Sequence, residues 1–171
     1  MINKKFNKII ELILKYINEG YVILLESDLV SLMFHSYLLL EENIPNKIHI
    51  NSRISQSKSD REKIDFVIGE IINPKKLRPK IEPEIIVEVK AIPELGFNDR
   101  QKEKRYQTII QDIKKIKNLN LKVPRYILIF DGVNYFEDKI EMIIQERNTV
   151  DTGIELIRIY KTNSKYFAEN Y

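Results

Sequence analysis

Asp65, Glu88 and Lys90 are ionisable residues set inside runs that are otherwise apolar and β-branched: Ile64-Asp65-Phe66-Val67-Ile68 and Ile85-Ile86-Val87-Glu88-Val89-Lys90. Such runs read as buried strands. A charge in a buried strand is costly unless a partner or a metal compensates it. Glu88 and Lys90 share one face, because strand side chains alternate with period two. The chain between the two runs can fold back as a hairpin. In a symmetrical register Phe66 faces Val87 and Asp65 faces Glu88, with Lys90 beside both. Two carboxylates and an ammonium in so small a space suit a hydrolytic Mg²⁺ site. Mg²⁺ takes about six oxygens and is held by one or two carboxylates, with waters and substrate phosphate supplying the rest. The alternative reading is a buried ion pair of Lys90 with either acid.

The elements around these residues must position them. Phe6, Ile9, Ile10, Ile13, Leu14 and Ile17 follow a helical period, which predicts an amphipathic helix over 4–18 closed by Gly20. After the short apolar run 21–25, Ser27 or Asp28 can cap a helix running to about Glu42, apolar on nearly all sides and so buried. Residues 47–54 alternate and read as a strand, 56–63 as a polar turn, and 64–69 and 85–90 as the two strands above. Between them lies a basic loop, 70–83. A capped helix from Asn98 or Asp99 to about Asn118, a buried strand at 125–130, a helix at about 136–147 and a strand at 154–160 follow. The polar tail from Lys161 reads as loose. Without the first helix and the last two elements the order is αβββαβ.

Asp65, Glu88-x-Lys90 at the end of an apolar strand, and this order together resemble the PD-(D/E)XK nuclease superfamily, whose fold is restriction-endonuclease-like. The resemblance covers about residues 26–131; Ile64 stands where the motif's Pro would be. It implies an α/β fold, a mixed central sheet flanked by helices, here with an extra N-terminal helix. The expected organisation is a single nuclease-like domain over 1–171, with core 26–131, an N-terminal helix at 4–18, and a C-terminal helix and strand within 136–160. The implied activity is Mg²⁺-dependent hydrolysis of phosphodiester bonds, foremost in DNA, with Mn²⁺ able to substitute. Asp65 and Glu88 hold the metal, the Val89 carbonyl supplies another oxygen, and Lys90 orients the attacking water or helps deprotonate it. The first core helix of this superfamily often adds an acid to the site. Glu26 is the candidate, with Asp28 second, although acids also gather at helix N-termini for electrostatic reasons.

Nucleic-acid contacts are expected from Arg53, Arg61 and Lys63, which precede Asp65 at the same end of the sheet. Lys58 belongs to the same group. Arg105, with Gln101 and Gln107, can reach a phosphate from the long helix. Gln101, Arg105 and Tyr106 come close to the Gln-x-x-x-Tyr motif of recombination-type exonucleases without matching it. The basic loop is expected at the far end of the hairpin.

Composition narrows the chemistry. The chain has 171 residues, 43% hydrophobic and 31% charged, with net charge +3. It has no cysteine and two histidines, which excludes disulfides and thiolate sites and argues against zinc. No apolar run is long enough for a transmembrane helix, and the opening residues lead into an amphipathic helix rather than a signal-peptide core. A cytoplasmic protein with no membrane partner is expected. No separate recognition module is recognisable, so specificity would come from loops, a homodimer or a partner protein. A nuclease-fold module that binds nucleic acid or a protein without cutting remains the alternative function.

Overall fold

The computed structural model describes residues 3–40, 45–59, 62–75, 79–150 and 153–171. Among these residues four α-helices and six strands follow in the order α1 (Lys4–Asn18), α2 (Glu26–Leu40), β1 (Ile48–Ser52), β2 (Ile64–Ile72), β3 (Lys80–Ile92), α3 (Asp99–Asn118), β4 (Arg125–Asp131), α4 (Ile140–Val150), β5 (Ile154–Thr162) and β6 (Lys165–Asn170). The strands form one mixed sheet in sequence order. β1, β2 and β3 run antiparallel, β3, β4 and β5 run parallel, and β6 returns antiparallel to β5. Among the described residues no helix is long and apolar enough to cross a membrane.

The alternating side chains of the sheet feed two cores. Phe66, Ile68, Val87, Val89 and Ala91 pack with Phe6, Ile9 and Ile13 of α1 and Leu29, Leu32 and Met33 of α2. Val67, Ile86, Ile127 and Ile129 pack on the other face with Ile109, Ile113 and Ile116 of α3 and Ile143 of α4. The two crossover helices lie on one face because both connect parallel strands stepping in the same direction. α3 starts at a capping box, in which Asn98 Oδ1 accepts from the Gln101 N–H and Gln101 Oε1 accepts from the Asn98 N–H.

Three features depart from the sequence reading. The tail after Lys161 is a strand, not loose chain. Asn163 and Ser164 take positive φ (50° and 66°), which suits a two-residue hairpin turn, and Tyr166 is fixed by a pair of hydrogen bonds with the Asn18 side chain. The hairpin strands are also longer than expected, so much of the basic stretch 70–83 is strand and only 73–79 connects. Finally, the register shifts between Ile68 and Gly69, and Pro83 faces Gly69. A Cβ on Gly69 would stand 2.1 Å from the Glu82 carbonyl oxygen, so only glycine permits that approach. Beyond it the hairpin turns back. Ile81 N–H donates to the Arg53 carbonyl at 2.9 Å, and Ile54, Ile64 and Ile81 share one core.

Candidate active site

The β2–β3 register is the symmetrical one expected from the sequence. Phe66 pairs with Val87, Val67 with Ile86 and Ile68 with Ile85, before the irregularity at Gly69. One step further along, Asp65 and Glu88 come together on the face turned toward α3. Asp65 Oδ2 accepts from the Val89 N–H at 2.8 Å, which fixes the carboxylate against β3. Lys90 Nζ lies 3.9 Å from the same oxygen and donates to the Val89 carbonyl at 2.9 Å.

Two side chains of α3 complete the cluster. Asp112 Oδ2 lies 2.7 Å from Lys90 Nζ. Lys115 Nζ lies 2.5 Å from Glu88 Oε1 and also donates to the Lys63 carbonyl. The sequence reading named neither residue. A signal was present: Asp112 follows Ile109 by three positions and precedes Ile116 by four, placing a carboxylate in the apolar stripe.

Glu88 is 2% exposed. Burial, then repulsion from Asp65 and Asp112, pushes its pKa well above the ordinary carboxylate range against the opposing pull of Lys115. Burial alone would lower the pKa of Lys90, but Asp112, Glu26 and Asp65 outweigh it and hold the ammonium above its ordinary value.

Glu26, the first residue of α2, reaches the same region. Its carboxylate meets Arg105 of α3 at 2.7 Å and feels both Lys90 and Asp65. Burial raises its pKa, partly offset by Lys90, Arg105 and a hydrogen bond from the Ala91 backbone. Glu26 and Asp65 line one cleft of about 280 Å³ with Ser27, Val30, Ser31, Ile50 and Asn51. Asp28 turns away, accepting from the Leu24 and Leu25 N–H groups.

The residues expected to grip nucleic acid are less tightly grouped. Arg105 borders the site through Glu26, its guanidinium 5.4 Å from the Phe97 ring centre. Lys63 adjoins it through its own carbonyl. Arg53 is bound through its carbonyl to the start of β3, and Lys80 Nζ donates to the Ser55 and Ser57 carbonyls. Lys80, at the end of the basic loop, thus meets the 53–57 segment, because the turned-back hairpin brings β3's first residues onto it. Arg61 lies outside the described residues.

Asp65, Glu88 and the Val89 carbonyl, with Asp112 and Glu26 beside them, supply the oxygens that could hold a cation. This is a hard donor set without sulfur or imidazole, and it suits Mg²⁺ or Mn²⁺. Glu88, buried beside another acid, is the group whose ionised form a divalent cation would relieve most. Among the described residues no group of three or more acidic or imidazole side chains is arranged to hold a metal. The remaining coordination would fall to water and substrate.

No protein-family model and no curated protein matches the chain. A solved structure similar to it is SfsA from Pyrococcus furiosus in complex with Ca²⁺, at 14% identity and TM-score 0.37, over 84% of this chain. The chain spans 62% of that protein's length, and the superposition is too loose to assign a fold.

Proposed function

We propose that this chain is a metal-dependent nuclease with a restriction-endonuclease-like core, hydrolysing phosphodiester bonds, foremost in DNA. The observation that carries the reading is the meeting of Asp65, Glu88 and Lys90 on one buried face of the sheet. A stable sheet does not need such a cluster. Buried ion pairs are often neutral or unfavourable to stability compared with well-packed apolar residues.

Asp65, Glu88 and the Val89 carbonyl would hold the cation, with Glu26 close by across the cleft. When bound, Mg²⁺ would supply charge for the transition state and an acidified water. The chain's own residues do the positioning. Val89 N–H aims the Asp65 carboxylate. Lys90, whose ammonium form Asp112, Glu26 and Asp65 favour, would donate to water or phosphate and orient it. Arg105 and Lys63 stand where a phosphate backbone could approach, and specificity would come from loops, a second copy or a partner protein.

A second reading, a module that binds nucleic acid or a protein without cutting, is favoured by Lys115 on Glu88 and by the absence, among the described residues, of three acids arranged to hold a metal. Plasmid nicking with Mg²⁺ or Mn²⁺, against chelator, separates the two. Cleavage that falls about 10²-fold or more in both Asp65→Asn and Lys90→Met supports the nuclease. Unchanged cleavage in these variants takes the catalytic role away from this site, and no cleavage by the parent supports the binding module.

A further inference from the structure

Lys115 and Lys90 are both ammonium groups of the site, but they are held differently. The Lys90 side chain is 9% exposed and lies between Asp112 at 2.7 Å and the Val89 carbonyl at 2.9 Å. The Lys115 side chain is 27% exposed and sits in the last turn of α3. Its ammonium bridges Glu88 Oε1 and the Lys63 carbonyl, each at 2.5 Å. Lys90 is enclosed, whereas Lys115 has a path to water along a flexible four-carbon stem.

Glu88 has almost no access to water and stands beside Asp65 and Asp112, so without a cation its carboxylate depends on Lys115. A divalent cation held by Asp65 and Glu88 would compete with Lys115 for the Glu88 carboxylate. Two cations cannot share it at contact distance without strong repulsion in so dry a place. We infer that Lys115 is a displaceable plug: in the cation-free protein it occupies the place on Glu88 that a divalent cation takes, and cation binding expels it to solvent. This rests on the metal-dependent reading above. It makes Lys115 a positioning residue, one that keeps Glu88 compensated and the fold independent of metal, at the expense of cation affinity.

The test is Mn²⁺ binding at pH 8, read from the spin-resonance signal of the free aqua ion, for the parent, Lys115→Met and Glu88→Gln. Lys115→Met is expected to bind Mn²⁺ about ten- to a hundredfold more tightly, the equilibrium equivalent of one charge-assisted hydrogen bond. Glu88→Gln should lose the site. On the unaltered protein, acetylation of the Lys115 amine, followed by mass spectrometry, should rise several-fold with Mn²⁺ while Lys90 stays protected. If Lys115→Met does not fold, the acetylation result decides alone. Equal or weaker Mn²⁺ binding in Lys115→Met, or acetylation of Lys115 that ignores Mn²⁺, overturns the plug. With Glu88-dependent binding in the parent, the metal-dependent reading survives that result. No Mn²⁺ binding by the parent or either variant overturns both.

Discussion

In the unfolded chain Glu88 ionises near 4.5; in the folded protein burial and the neighbouring acids push it well above that. Between those two values the folded state carries a proton that the unfolded state has lost. Stability therefore falls as pH rises through this window, and the contribution of a protonated Glu88 is complete only below it. Glu88→Gln removes the ionisation, keeps the volume, and offers Asp65 an amide donor in place of the acid proton. Replacing a whole buried ion pair by well-packed neutral groups is neutral or stabilising by about 1–4 kcal/mol, and removing one member is costly only where the other charge stays buried. Against this, the charge-assisted bond to Lys115 is lost, worth about 1.5–3 kcal/mol, but Lys115 can turn to water and recover part of it. The expected net is a gain of about 1 kcal/mol at pH 8 that vanishes near pH 4.5. The chain has no tryptophan, so urea unfolding is best followed by circular dichroism. Mn²⁺ should stabilise the parent at pH 8 and leave Glu88→Gln unchanged. A variant less stable than the parent at pH 8 by more than about 1 kcal/mol would refute the reasoning, since Glu88 would then be a net stabilising anion.

Asp112→Ala takes the 2.7 Å partner from buried Lys90 and leaves Asp65 at 3.9 Å; unfolding free energy should drop by about 2 kcal/mol, less than a fully uncompensated charge because partners remain. In the same variant the Lys90 pKa should fall, because the first of the groups that raise it is gone, and titration of that amine by NMR would show it. Gly69→Ala puts a Cβ against the Glu82 carbonyl and should cost about 2–3 kcal/mol by forcing the hairpin open, measured as a lower urea midpoint. Charge reversal at Lys63 and Arg105 should weaken DNA binding equally for unrelated sequences and lower the slope of log affinity against log salt by about 2; a sequence-dependent loss would mean base contacts instead.

The part of the site borne by one hairpin was legible from the chain. Period-two alternation put Glu88 and Lys90 on one face, and the symmetrical register set Asp65 against Glu88. Capping and apolar periodicity found α3 from Asn98 onward. What failed were relations that no local pattern encodes. Lys115 and Asp112 look like solvated charges until α3 packs across β3. The shift at Gly69, which turns the hairpin and carries Ile81 back to Arg53, depends on an approach of two backbones that a single glycine only permits. The strand β6 was hidden because polar residues flank its short run Tyr166-Phe167-Ala168 and its burial comes from one side, through Tyr166 and Ala168.

Most direct for the claim of a divalent-cation site is an anomalous difference map from crystals of this protein soaked in Mn²⁺. A peak in contact with the Asp65 and Glu88 carboxylates and the Val89 carbonyl, with the Lys115 ammonium moved away from Glu88, is the predicted result. Crystals that take up Mn²⁺ elsewhere, or not at all, with Lys115 still on Glu88 and Lys90 on Asp112, would contradict it.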